Sequence, residues 1–148
     1  MKDKIIVELD GPLFELLKMR TQLLLRGNEE LSTEVIITDR DKVIIKSFFE
    51  DAKTEVINAL ALADVAESYP EGAFIYQLSG RQKKNKLYKL SNILKKAFEE
   101  YLLMRWFDSI GIIDVSQYRQ ILFENALRDF RNNTTKKAFV VPKFRPYF

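Results

Sequence analysis

Any chemistry done by this chain would rest on carboxylates, lysines and arginines, because the sequence contains neither histidine nor cysteine. The usual general base, the commonest metal ligand and the thiolate zinc site are therefore missing. Ser–His and Cys–His nucleophile pairs cannot form, and there is no disulfide framework. Glu29-Glu30 and Glu99-Glu100 are adjacent acids, but neighbours on a helix point in different directions and do not make an acid–base pair. Glu50, Asp51 and Glu55 could hold a hard cation, although a solvated helix face explains them better. No phosphate-cradling glycine loop or dinucleotide fingerprint is present, and there is no internal repeat or low-complexity segment. A carboxylate enzyme is the least favoured reading, and no cofactor or metal is expected.

Binding chemistry is better represented. Arg81, Lys83, Lys84, Lys86, Lys89, Lys95 and Lys96 follow one another with no acid between them. Lysines near a helix N-terminus oppose the macrodipole, so Lys83, Lys84, Lys86 and Lys89 are not there for helix stability. They suit an acidic protein surface or, alternatively, nucleic acid. A solvated loop and helix face needs no partner at all. The second candidate is the tail, KKAFVVPKFRPYF from Lys136 to Phe148. Its two prolines forbid a terminal helix and push Val141 and Arg145 toward extended geometry. Phe139, Val140, Val141, Phe144, Tyr147 and Phe148 carry more apolar area than a solvated tail needs, beside four basic residues and no acid. Such an arm should lie on something, either its own domain or a neighbouring chain.

These segments need a scaffold. A chain of 148 residues, 47% hydrophobic and 30% charged, is one ordinary globular domain by length and composition. The net charge of +3 conceals a split: residues 1–80 carry nine basic and fifteen acidic groups, net −6, and residues 81–148 carry fifteen and six, net +9. The split can mark a face for nucleic acid, pairing within the molecule, or one copy's acidic face meeting the next copy's basic face. No apolar run approaches the roughly 20 residues of a membrane span, and MKDKIIVELD lacks a signal-peptide core. No membrane partner is expected, and synthesis in the cytoplasm is.

The apolar spacing predicts a mainly α fold: a bundle of about four helices over residues 1–135, a minor β-element, and an extended arm over 136–148. Lys4–Leu9 is a strand or an apolar lead-in, and Asp10-Gly11-Pro12 is a turn. A first helix runs from Leu13 to Gly27, with Leu13, Leu16, Leu17, Met19 or Arg20, Leu23 and Leu24 as its core stripe. Val35–Ile37 is a short extended piece. Thr38-Asp39-Arg40-Asp41 opens a second helix with an approximate capping box. That helix runs to about Glu67, with Ile45, Phe48, Phe49, Ala52, Val56, Leu60 and Ala63 inward and Glu50, Asp51, Lys53 and Glu55 mostly outward. Ala73–Leu78 has strand composition and needs Ile5–Leu9 or Val35–Ile37 as its pair. Lys86–Gly111 is apolar on most sides toward its end, as suits the central helix of a bundle. In the last helix, about Val115–Asn132, Tyr118, Leu122, Ala126 and Phe130 form one ridge, with Ile121 and Phe123 on either side.

This order of parts resembles a known class. A leucine-rich first helix precedes DRDKVIIKSFFEDAKTEVINAL, then an extended segment, a helix ending YLLMRWF, a last helix, and a basic tail closing on FRPYF. The chain from about Leu13 onward is similar to the small helical head–tail connector, or neck, proteins of tailed bacteriophages. The resemblance implies a structural virion protein: a homo-oligomeric ring under the portal, bridging it to the tail or neck proteins, with terminal segments reaching between subunits. It implies no enzyme activity. The positions that would bind partners are Phe139, Val141, Phe144, Arg145, Tyr147 and Phe148 in the tail, and Lys83, Lys84, Lys86 and Lys89 in the basic run. The alternative is a nucleic-acid-binding helical protein using the basic segment 81–96; the acidic first half and the lack of a helix-turn-helix signature weigh against it.

Overall fold

Every residue from Ala97 to Leu103 is buried, a run that only a helix covered on all sides can show. It belongs to α3 (Lys84–Ser109), the axis of the fold. A computed structural model describes residues 3–27, 35–60, 71–78 and 83–134. Around α3 stand α1 (Phe14–Gly27), α2 (Lys42–Leu60) and α4 (Ile113–Thr134), with a two-stranded sheet of β1 (Lys4–Glu8) and β2 (Ala73–Gln77). The described residues thus form a mainly helical bundle of four helices with a minor β-element, as the spacing predicts.

The sheet settles which strand pairs with which. β1 and β2 run antiparallel, with Lys4 opposite Gln77, Ile6 opposite Ile75 and Glu8 opposite Ala73. Val35–Ile37 forms no strand; it is held as a buried connector. Trp106 donates its indole N–H to the Val35 carbonyl at 2.8 Å, and the Ile37 N–H donates to the buried Thr21 hydroxyl at 3.0 Å. Ile5 and Val7 face inward beside Leu9, and Phe74 meets them from β2. Phe98 lies between Phe74 (5.2 Å between ring centroids) and Phe49 of α2 (5.0 Å). Sheet and helices thereby share one core.

Helix starts follow local chemistry. Gly11 has φ +97° with nothing crowding its α-carbon, so the turn into α1 requires glycine for its backbone and not for space. A 3-10 turn, Asp39–Asp41, precedes α2; the Asp41 carboxylate accepts the Thr38 N–H at 2.8 Å and its hydroxyl at 3.1 Å. Gly111, at φ +81°, lets the chain reverse between α3 and α4.

Several expected faces are corrected. On α2, Lys53 is buried, its ammonium 2.6 Å from Glu50 and over the Phe49 ring. A lysine inside reflects its long apolar stem, which can cover core surface while its charge stays paired. On α1, Met19 and Leu23 are exposed, and Leu13, Phe14 and Leu17 carry the packing. On α4 the packed face is rotated: Phe123, Ala126, Leu127 and Phe130 are buried, whereas Tyr118 and Ile121 are 57% and 55% exposed. The stretch of α2 expected beyond Leu60, and with it Ala63, lies outside the described residues.

Candidate partner-binding surface

Lys83, the N-cap of α3, is itself extended (φ −62°, ψ 146°), without a side-chain cap and with no acid in the first turn. Lys83, Lys84 and Lys89 are exposed and Lys86 half-buried. Among the described residues none of the four forms an ion pair, in contrast to Lys18, Lys42, Lys46, Lys53 and Lys96. Tyr88 stands among them, 71% exposed; the spacing of charges alone does not single it out. The patch combines unpaired positive charge with an aromatic ring, suited to carboxylates, phosphates or stacked groups.

Asn85, Lys86 and Lys89 share a shallow depression of about 330 Å³ with Asn133. The end of α4 therefore lies against the basic start of α3. The remaining candidates, Phe139, Val141, Phe144, Arg145, Tyr147 and Phe148, lie outside the described residues, as do Arg81 and the whole arm 136–148.

A second depression, of about 460 Å³, runs between β1, the start of α1 and the middle of α3. Ile6, Pro12, Leu13 and Leu16 supply apolar walls, and Glu8 and Lys95 stand at its polar margins. Ile6 is 48% exposed here. Sequence periodicity flags β1 only as a strand; that one side of it is left open depends on what packs alongside.

The adjacent acids Glu99 and Glu100 do point apart, yet both are buried. Arg20 of α1 reaches the Glu99 carboxylate at 2.9 Å. Arg119 of α4 reaches Glu100 at 2.8 Å, with Lys96 at 3.3 Å from its other oxygen. These pairs tie α3 to its neighbours. Of the proposed cation cluster, Glu50 accepts the Gly72 N–H at 3.0 Å and Asp51 pairs with Arg105 at 2.9 Å, so the two acids serve separate contacts. Arg105 also lies over the Phe48 ring and donates to the Tyr101 hydroxyl at 2.8 Å. Burial works against its charge, but the hydrogen bonds to Tyr101 and Asp51 outweigh it and raise its pKa.

No protein family, curated protein or solved structure matches the chain. Among the described residues no group of three or more acids could hold a metal ion, and no helix is long and apolar enough to cross a membrane.

Proposed function

We propose that this chain is a structural component of a phage neck: a ring of identical copies that bridges the portal to the tail or neck proteins and acts in the virion rather than as an enzyme. The observation that carries this reading is the convergence at one end of α3. Lys86 and Lys89, which form no ion pair among the described residues, share a depression there with Asn133 near the end of α4, and Lys83 and Lys84 open the same helix. A bundle whose buried Glu99 and Glu100 are ion-paired supplies a rigid body, and the basic, aromatic arm follows α4 in sequence. The resemblance of the chain's order of parts to the connector class supports the same reading. In a ring, each copy would offer this end to a neighbour or to the portal.

Charge reversal tests it. Lys83→Glu, Lys84→Glu and Lys86→Glu together should weaken assembly with portal protein, measured by co-sedimentation, while the melting temperature stays nearly constant, because these side chains hold no intramolecular ion pair. Unchanged co-sedimentation would remove the basic run from the interface.

A second reading is favoured by one observation: Tyr88 is exposed amid those lysines, the pairing of stacking ring and phosphate-binding charge that nucleic-acid surfaces use. Duplex and single-stranded DNA should then be retarded in a gel at low salt and released as salt rises. No retardation at about 50 mM salt discards that reading.

A further inference from the structure

β1 has an open edge. The Leu9 N–H donates to the Gly72 carbonyl and the Leu78 N–H to the Asp3 carbonyl, both at 2.8 Å. In the observed antiparallel register these bonds assign the odd-numbered residues of β1 to the ladder with β2. The backbone groups of Lys4 and Ile6 and the Glu8 N–H therefore point the other way, and among the described residues nothing pairs with them; the Glu8 carbonyl, at the N-cap of the π-turn Leu9–Leu13, accepts the first bond of that turn. Ile6 and Glu8 line the depression of about 460 Å³ between β1, α1 and α3. An unpaired edge above an apolar floor is a template for one more strand.

The chain carries a segment patterned for that place. Val140, Pro142, Phe144, Pro146 and Phe148 share one parity, and Phe139, Val141, Lys143, Arg145 and Tyr147 share the other. Drawn out as a strand, the tail would put both prolines on the same edge, so the opposite edge keeps an unbroken row of N–H donors. From Ala138 onward its even-numbered face is entirely apolar. Antiparallel pairing through the odd-numbered donors puts the odd side chains on the outer face with Lys4, Ile6 and Glu8. The even, apolar side chains then point to the inner side, toward Leu13 and Leu16. Parallel pairing through the same donors would reverse the faces. Lys143 opposite Glu8 sets Arg145 opposite Ile6 and Tyr147 opposite Lys4, giving the arm's charge an acid to meet.

We infer that the edge of β1 receives the Lys136–Phe148 segment of a second copy as an antiparallel third strand. The inference rests on the ring reading above and names the surface that accepts the arm. Fourteen residues follow Thr134, a reach of roughly 45 Å when extended, ample to cross to a neighbour. A copy's own groove is the poorer target. α4 ends on the β2 side of the sheet, with Phe130 edge-on to Tyr76, whereas the open edge is on the β1 side.

The test adds a synthetic Lys136–Phe148 peptide to the full chain and follows peptide binding by anisotropy and assembly by sedimentation. The chain should sediment as an oligomer that excess peptide disperses. N-methylation at Arg145 or Tyr147, which blocks a donor in the unbroken row, should weaken the peptide about tenfold. The same change at Val140 or Phe144, on the proline edge, should leave it effective. Ile6→Pro, which deletes only an outward-facing donor, should lower assembly without altering the circular dichroism; the peptide series stands whether or not that variant folds. An oligomer indifferent to the peptide, or equally affected by both methylated sets, keeps the ring and overturns the strand pairing. A chain that stays monomeric overturns both, and peptide binding to that monomer assigns the groove to the chain's own arm.

Discussion

Glu100 is fully buried, and its carboxylate is paired with Arg119 and Lys96. Removing one member of a buried pair strands the other. Glu100→Ala should therefore cost about 3–5 kcal/mol in urea unfolding. Glu99→Ala should cost less, because Arg20, its partner, is 41% exposed and can rehydrate. One buried and one half-buried phenol give a pH signature. Burial raises the pKa of Tyr76 above the usual 10.0, and burial raises that of Tyr101 despite the Arg105 hydrogen bond that opposes it. The neutral phenol is the form the fold favours, so the stability linked to it is complete below pH 10 and is lost as pH rises through the raised values. An alkaline unfolding series with spectrophotometric tyrosine titration should show loss of structure together with late phenol ionisation; both phenols ionising at ordinary pH in a folded chain would refute it.

At the scale of elements, α4 is the instructive case. Its rows of apolar residues permit two faces, and the packed one contains Phe123 and Phe130 rather than Tyr118 and Ile121. Phe123 meets the Tyr101 ring edge-on, and Phe130 meets Tyr76 the same way. Phe130→Ala should cost about 3–5 kcal/mol. Tyr118→Ser and Ile121→Ser should each stay within about 0.5 kcal/mol of the parent in thermal unfolding. Equal losses at all these positions would mean that the outer face of α4 is covered. α3 behaves as its composition demands: Phe98 is wholly buried between α2 and β2, and Phe98→Ala should match the cost at Phe130.

For the whole molecule, the aromatic contacts of the core are made between described elements: Phe98 with Phe49 and Phe74, and Phe130 with Tyr76. Deleting Lys136–Phe148 should therefore leave a folded, soluble domain that no longer joins an assembly. Thermal unfolding checks the first half and co-sedimentation with the assembly partner the second. Unfolding on truncation would return the arm to its own core; normal assembly would make it dispensable.

Local order was written into the sequence. A spacing of three and four between apolar residues is enough to mark α2 and α3, because helix geometry is set within a few turns. The glycine of Asp10-Gly11-Pro12 marks its turn through backbone conformation, which is equally local. The lysine run was legible as a candidate surface because charge needs no context to be counted. What tertiary structure alone decided is non-local. β1 and β2 meet across some seventy residues, Arg20 reaches Glu99, and Trp106 holds Val35. The side of α4 that turns inward and the edge of β1 that stays open likewise depend on which neighbours arrive. Periodicity identifies a face that can be buried, and only the packing of distant elements determines whether it is.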